Sequence, residues 1–275
     1  MSTAVLSTLA RRRPVADTAL KAAARLWFLT AVVGQALFVY YIVVHYAGPT
    51  LLGHFESWNS RDLIKGYVAG DKIGNLGFAV HVLVAGLITA SGALQLFPQI
   101  RVRAPAFHRW NGRFYLLAAL LMSIDGLWLV WVRGTYLHLL GAFGSSLLAS
   151  LTLISASMTL RYALARRIDI HQRWALRTFL LVNGVWFQRI GYMGWIILAQ
   201  GPVGMGKRMD GPFDIIWGFG AYLIPLAVLE LYLRARDQAG GGAGKLAMAA
   251  VLTVCAVLTG IGIFGAWMFM WKPAL

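Results

Sequence analysis

Charge is scarce in this chain. Only 13% of its 275 residues are Asp, Glu, Lys or Arg, against roughly 25% in soluble globular proteins, which argues against a water-soluble fold. Acidic residues are the rarest charge, ten against 25 basic ones, and the net charge is +15. There is one cysteine, Cys255. One thiol cannot form an internal disulfide framework or a multi-cysteine metal centre. Other chemistries are missing too. No Gly-rich strand-to-helix loop marks a nicotinamide or flavin domain, and neither a Ser-His-Asp order nor a pair of catalytic carboxylates supports a hydrolase.

What is present is apolar: 59% of the residues are hydrophobic, gathered in runs over 26–47, 74–97, 112–132, 137–160, 175–199, 213–233 and 246–271. Each suits a bilayer-crossing helix of about 20 residues. A β-barrel would alternate polar and apolar positions, whereas Leu116–Leu121 and Leu223–Leu229 are apolar at consecutive positions. The sequence therefore predicts an all-α polytopic membrane protein with about seven transmembrane helices. Its parts are an N-terminal arm over 1–25, a first helix over 26–47, a four-helix core over 74–199 and two C-terminal helices over 213–271. The glycines at 240, 241, 242 and 244 read as a linker that leaves the last helix peripheral.

The basic residues set an expected orientation. Placing the N-terminus and the 98–113, 161–177 and 231–245 connections on one side gathers 17 Lys and Arg there, against 7 on the other, with Arg189 inside a run. The positive-inside rule then puts the N-terminus inside and the C-terminus outside a bacterial inner membrane. The high pI is assigned to anionic headgroups of the lipid bilayer, and nucleic acid is not an expected partner.

Four histidines recur at separations of 27, 30 and 33 residues: His81, His108, His138 and His171. They alternate between the two ends of the second to fifth helices. With the second helix facing the fourth and the third facing the fifth, His81 pairs with His138 at the outer side and His108 with His171 at the inner side. Each pair supplies two axial nitrogens for a haem iron, giving one or two b-type haems and electron transfer across the membrane. The outer pair is the better supported, because His81 is truly intramembrane.

An internal echo, Trp110-x-x-Arg113 and Trp174-x-x-Arg177, follows the inner histidines. It offers Arg109, Arg113, Arg173 and Arg177 to haem propionates, although snorkelling arginines and interfacial tryptophans explain the same residues. The costly residues inside the runs are Asp125 and Arg189, expected to form an ion pair, with Asn183 and Gln188 as further polar-site candidates. Two other functions fit the same residues. One is a transporter or ligand-binding protein whose path is lined by His81, Asp125, Asn183 and Arg189. The other is a non-catalytic assembly subunit.

The residues His81-x13-Gln95, Phe107-His108-Arg109-Trp110-x-Gly112-Arg113-Phe114-Tyr115 and His171-x-Arg173-Trp174-x-x-Arg177 resemble a family of predicted bacterial membrane proteins, domain of unknown function 2306. The resemblance spans about residues 74–195 and implies a membrane bundle without naming a reaction. More distantly, the alternating histidines look like those of diheme four-helix cytochromes b, including ascorbate-reducible cytochromes and ferric reductases. That likeness implies haem at His81 with His138 and at His108 with His171. The expected reaction is electron transfer between a quinol or small reductant and an acceptor, with a quinone or redox partner protein as the expected partner.

Overall fold

A computed structural model of the chain describes residues 3–59, 66–238 and 242–274, with side chains from residue 15 to 273. Arg61 and Lys65 lie outside the described residues, as do the side chains of Arg11, Arg12 and Arg13. The principal helices are α1 (Thr3–Ile42), α2 (Gly48–Leu52), α3 (Lys72–Leu96), α4 (Pro98–Arg103), α5 (Pro105–Trp131), α6 (Leu139–Leu164), α7 (Ile168–Val182), α8 (Gly184–Leu198), α9 (Pro212–Asp237) and α10 (Gly242–Ala266). Among the described residues, six stretches are long and apolar enough to cross a membrane: Val15–Leu52, Lys72–Leu96, Pro105–Trp131, Leu139–Leu164, Pro212–Asp237 and Gly242–Trp271.

The fifth expected crossing is not one helix. It divides at Asn183 into α7 and α8, each of 15 residues. Asn183 donates from its side-chain amide to the carbonyl of Phe179 at 2.8 Å. Asparagine competes with the backbone in this way, and Gly184 beside it is a weak helix former, so the pair interrupts an otherwise helical run.

The bundle has an apolar core that also takes in small hydroxyl residues, and it turns large apolar side chains outward, as lipid requires. On α5, Leu117, Leu121 and Ile124 are exposed along one stripe at i, i+4 and i+7. The buried positions of the bundle include Thr89, Ser91, Ser123, Thr152, Ser155, Thr159 and Thr178. Small and hydroxyl-bearing residues let helices approach closely and hydrogen-bond across the contact. Gly92 illustrates the approach: a Cβ there would sit 2.7 Å from the ring of Tyr115.

Helix α3 packs on α5, α5 on α6 and α6 on α7. From α8 the circuit returns to α3 through α10 and α1, while α9 lies against α6, α7, α8 and α10. Two expectations change here. The last helix is not peripheral, because α10 runs along α1 and α8, with Gly262 placed so that a Cβ would lie 2.5 Å from the carbonyl of Ile190. Nor is the segment before residue 26 a free arm. From residue 15 it continues α1, burying Ala16, Leu20 and Ala23, the last two beside Ala235, Met248 and Leu252, and Lys245 Nζ meets Asp17 Oδ1 at 2.7 Å. Apolar residues at three- and four-residue spacing carry the helix on where hydropathy alone ended it.

The connection between α1 and α3 is folded against the bundle. α1 passes through a π-helical turn, Val43–Ala47, into α2. Trp58 is then buried with Phe78 and Leu129. Arg133, just beyond α5, fastens this end: its Nε donates to Asp71 Oδ2 at 3.1 Å and its Nη2 to Gly66 O at 3.0 Å and Asn75 Oδ1 at 2.9 Å.

Candidate functional site

The histidines occupy four different settings. His81, midway along α3, places Nδ1 2.8 Å from Asp125 Oδ2 on α5. A carboxylate only accepts when ionised, so Nδ1 donates to it, and in the neutral ring Nε2 is the remaining acceptor. His138 is the N-cap of α6, its Nδ1 receiving the backbone N–H of Gly141 at 3.2 Å. There Nδ1 is the bare nitrogen and is already used, so the neutral ring carries its proton on Nε2. His171, near the start of α7, donates from Nδ1 to the carbonyl of Thr159 on α6 at 3.0 Å. This again leaves Nε2 bare. His108, near the start of α5, has a buried Nδ1 without a hydrogen-bond partner and lies within electrostatic reach of His171, Arg101 and Arg109.

The pairing therefore differs at the two ends. His108 and His171 both lie near helix starts at the same end, His108 on α5 and His171 on α7. His81 is held by Asp125, and His138 is occupied at a helix end, with α6 packed on α5 and α7. The expected Asp125–Arg189 pair is replaced by the His81–Asp125 pair. Arg189 instead donates to the carbonyl of Val185 at 3.2 Å and lies 5.4 Å from the ring centre of Phe38. Equal advance along two helices fixes depth but not azimuth, and Asp125 faces α3 while Arg189 faces α1.

The tryptophan–arginine echo has a structural counterpart. Arg113 stacks on Trp110 at 4.6 Å, and Arg177 on Trp174 at 4.8 Å. Around each, the helices interlock. On one side Ser91 Oγ donates to Asn111 Oδ1 at 2.9 Å, Asn111 Nδ2 to Ser91 O at 3.0 Å, and Gln95 Nε2 to His108 O at 3.1 Å. On the other, Thr178 Oγ1 lies 2.9 Å from both Ser155 Oγ and Thr159 Oγ1. The arginines offered to propionates are partly committed. Arg177 makes a two-pronged pair with Glu230 at 2.7 and 2.9 Å, and Arg173 pairs with Asp237.

Sequence reading missed Gln35. It is 2% exposed in the middle of α1, and neither of its amide atoms has a hydrogen-bond partner among the described residues. Asn183, also 2% exposed, keeps its Oδ1 unpartnered. Gln188 accepts the indole N–H of Trp217 at its backbone carbonyl, 3.1 Å away. A lone amide inside an apolar run was the available signal for Gln35, of the kind that marks Asp125 and Arg189.

No curated protein and no solved structure matches the chain. Neither comparison supports the likeness to diheme cytochromes b. A family pattern does match, over residues 78–233. This reaches beyond the helices that carry the motifs and takes in most of α9. By that match the chain belongs to the predicted membrane protein family DUF2306.

Proposed function

We propose that this protein is a membrane electron-transfer component carrying b-type haem. It would lie in a bacterial inner membrane with its arginine-rich helix ends inside. The carrying observation is the donation from His171 Nδ1 to the carbonyl of Thr159 at 3.0 Å, which leaves Nε2 of the neutral ring free, with His108 near the start of α5 at the same arginine-rich end of the helices. An iron-ligating imidazole has its other nitrogen tied to an acceptor in this way. The orphaned Nδ1 of His108 is consistent with a ring whose polar atoms await a partner.

His81, oriented by Asp125, has the same form and is a candidate ligand at the opposite end. His138 would have to leave its cap to serve there, so the inner site is the stronger assignment. This reverses the order expected from sequence. Haem would supply one-electron chemistry, and the chain would supply orientation of the rings and cationic surroundings from Arg109 and Arg113. A quinol, a small reductant or a redox protein would supply the electrons.

Oxidised and reduced absorption spectra of protein purified in mild detergent from a haem-replete host test the reading. The expected result is a Soret band with a reduced α-band, one haem equivalent being lost in both His108→Ala and His171→Ala while His138→Ala keeps the wild-type spectrum. A reproducibly haem-free wild type would overturn it and leave the polar residues to transport or assembly. Reporter fusions after Arg103, Arg167 and Gly242 should report inside and one near Glu56 outside, and the reverse at two of these would overturn the orientation.

A further inference from the structure

Between α9 and the wall formed by α1, α7, α8 and α10 runs a cavity of about 540 Å³. It is long for its volume. Along α9 its lining extends from Phe213 to Arg236, and along α7 and α8 from Leu176 to Leu198. At about 1.5 Å per residue each path is more than 30 Å, the thickness of the hydrocarbon layer. A volume of that size drawn out over that length admits one extended hydrocarbon chain and is too narrow for a porphyrin.

Its chemistry changes along its length. At the far end from Arg236 the wall is a stack of Trp195, Phe213 and Trp217, with ring centres 4.7 and 6.1 Å apart and planes within 10°. Both indole N–H groups there are already used, Trp195 on Val203 O and Trp217 on Gln188 O, so that end presents ring faces alone. The other end carries Tyr232 and Arg236, whose guanidinium lies 5.9 Å from the tyrosine ring centre. Arg173, Arg177 and Arg236 meet there with Glu230 and Asp237, Arg236 pairing with Asp237 at 3.0 Å, so this group of described residues carries one more cation than anions.

A groove of this kind is not filled by water, which requires polar partners. We infer that it holds the acyl chain of an anionic phospholipid, with the phosphate at Arg236 and Tyr232 and the chain running toward Trp195 and Trp217. The length selects a lipid chain and the cationic mouth selects a negative head. A neutral isoprenoid quinone would satisfy the first condition alone. This site is independent of the haem proposal.

Tryptophan fluorescence of the full chain in phosphatidylcholine nanodiscs tests it, using phosphatidylglycerol brominated at mid-chain as the quencher. Brominated phosphatidylglycerol should quench at about fivefold lower mole fraction than brominated phosphatidylcholine, the preference expected of one cation at a membrane surface. Arg236→Gln should abolish that preference. Ile224→Phe with Leu258→Phe, two partly exposed wall positions, should remove the phosphatidylglycerol-selective part of the quenching, whereas Val257→Phe, outside the wall, should keep it and report that the added rings are tolerated. Equal quenching by the two headgroups, or undiminished quenching in the filled variant, would overturn the inference. So would displacement of the brominated lipid by a long-chain quinone but not by unbrominated phosphatidylglycerol.

Discussion

Arg133 shows how one side chain can hold a whole connection. Its side chain is 6% exposed, with bonds to Asp71, Gly66 and Asn75, so removing it takes three hydrogen bonds from this connection at once. Arg133→Ala should cost about 2–3 kcal/mol in detergent unfolding. Asp71 carries the pH dependence of this anchor. The backbone N–H of Gly74 chiefly, with Arg133 adding to it against partial burial, holds its carboxyl below the ordinary 3.8. A depressed folded value means the contribution is complete above 3.8 and is lost as pH falls through the lower folded value. The stability gap between wild type and Asp71→Asn should accordingly be largest at neutral pH and close below that value. His81 and Asp125 make a second test. A double-mutant cycle with alanine at each should give a coupling of roughly 0.5–1.5 kcal/mol, while Asp125 with Arg189 should couple near zero.

At the scale of elements, helix contacts are set by where side chains are missing. Gly92→Ala drives a Cβ to 2.7 Å from the ring of Tyr115. That ring is 5% exposed and has nowhere to swing, so a loss of about 1–3 kcal/mol is expected. At Gly218 in α9 an added Cβ would meet no atom within 4 Å, and Gly218→Ala should be neutral or gain up to about 1 kcal/mol. Thermal unfolding of the two variants should move in opposite directions, or Gly92 at least should stand alone as the costly one. Sequence shows both as glycines inside apolar runs, and only the neighbouring helix distinguishes them.

For the whole molecule, closure of the circuit by α10 is the decisive contact. A protease site inserted between α9 and α10 should, once cut, leave the two pieces together through size-exclusion chromatography. The α1–α10 face and the Asp17–Lys245 pair hold them without the linker. Gly262→Leu places side-chain atoms where a Cβ alone would be 2.5 Å from Ile190 O, and should release the short piece after cutting. Co-migration of the pieces in both forms would show that the α8–α10 contact is dispensable.

Length, hydropathy and charge spacing determined that this is a helical membrane protein, where six of its crossings lie and which helix ends are arginine-rich, because those properties are local or additive along the chain. The His, Trp and Arg echo was legible for the same reason: residues three apart on one helix meet whatever surrounds them. Tertiary structure alone decided that Asp125 meets His81, that His138 caps a helix while His171 leans on Thr159, and that α10 closes the bundle. Those outcomes depend on the azimuth of each helix and on the order in which helices pack. Runs that are apolar on every face carry almost no sequence signal for either.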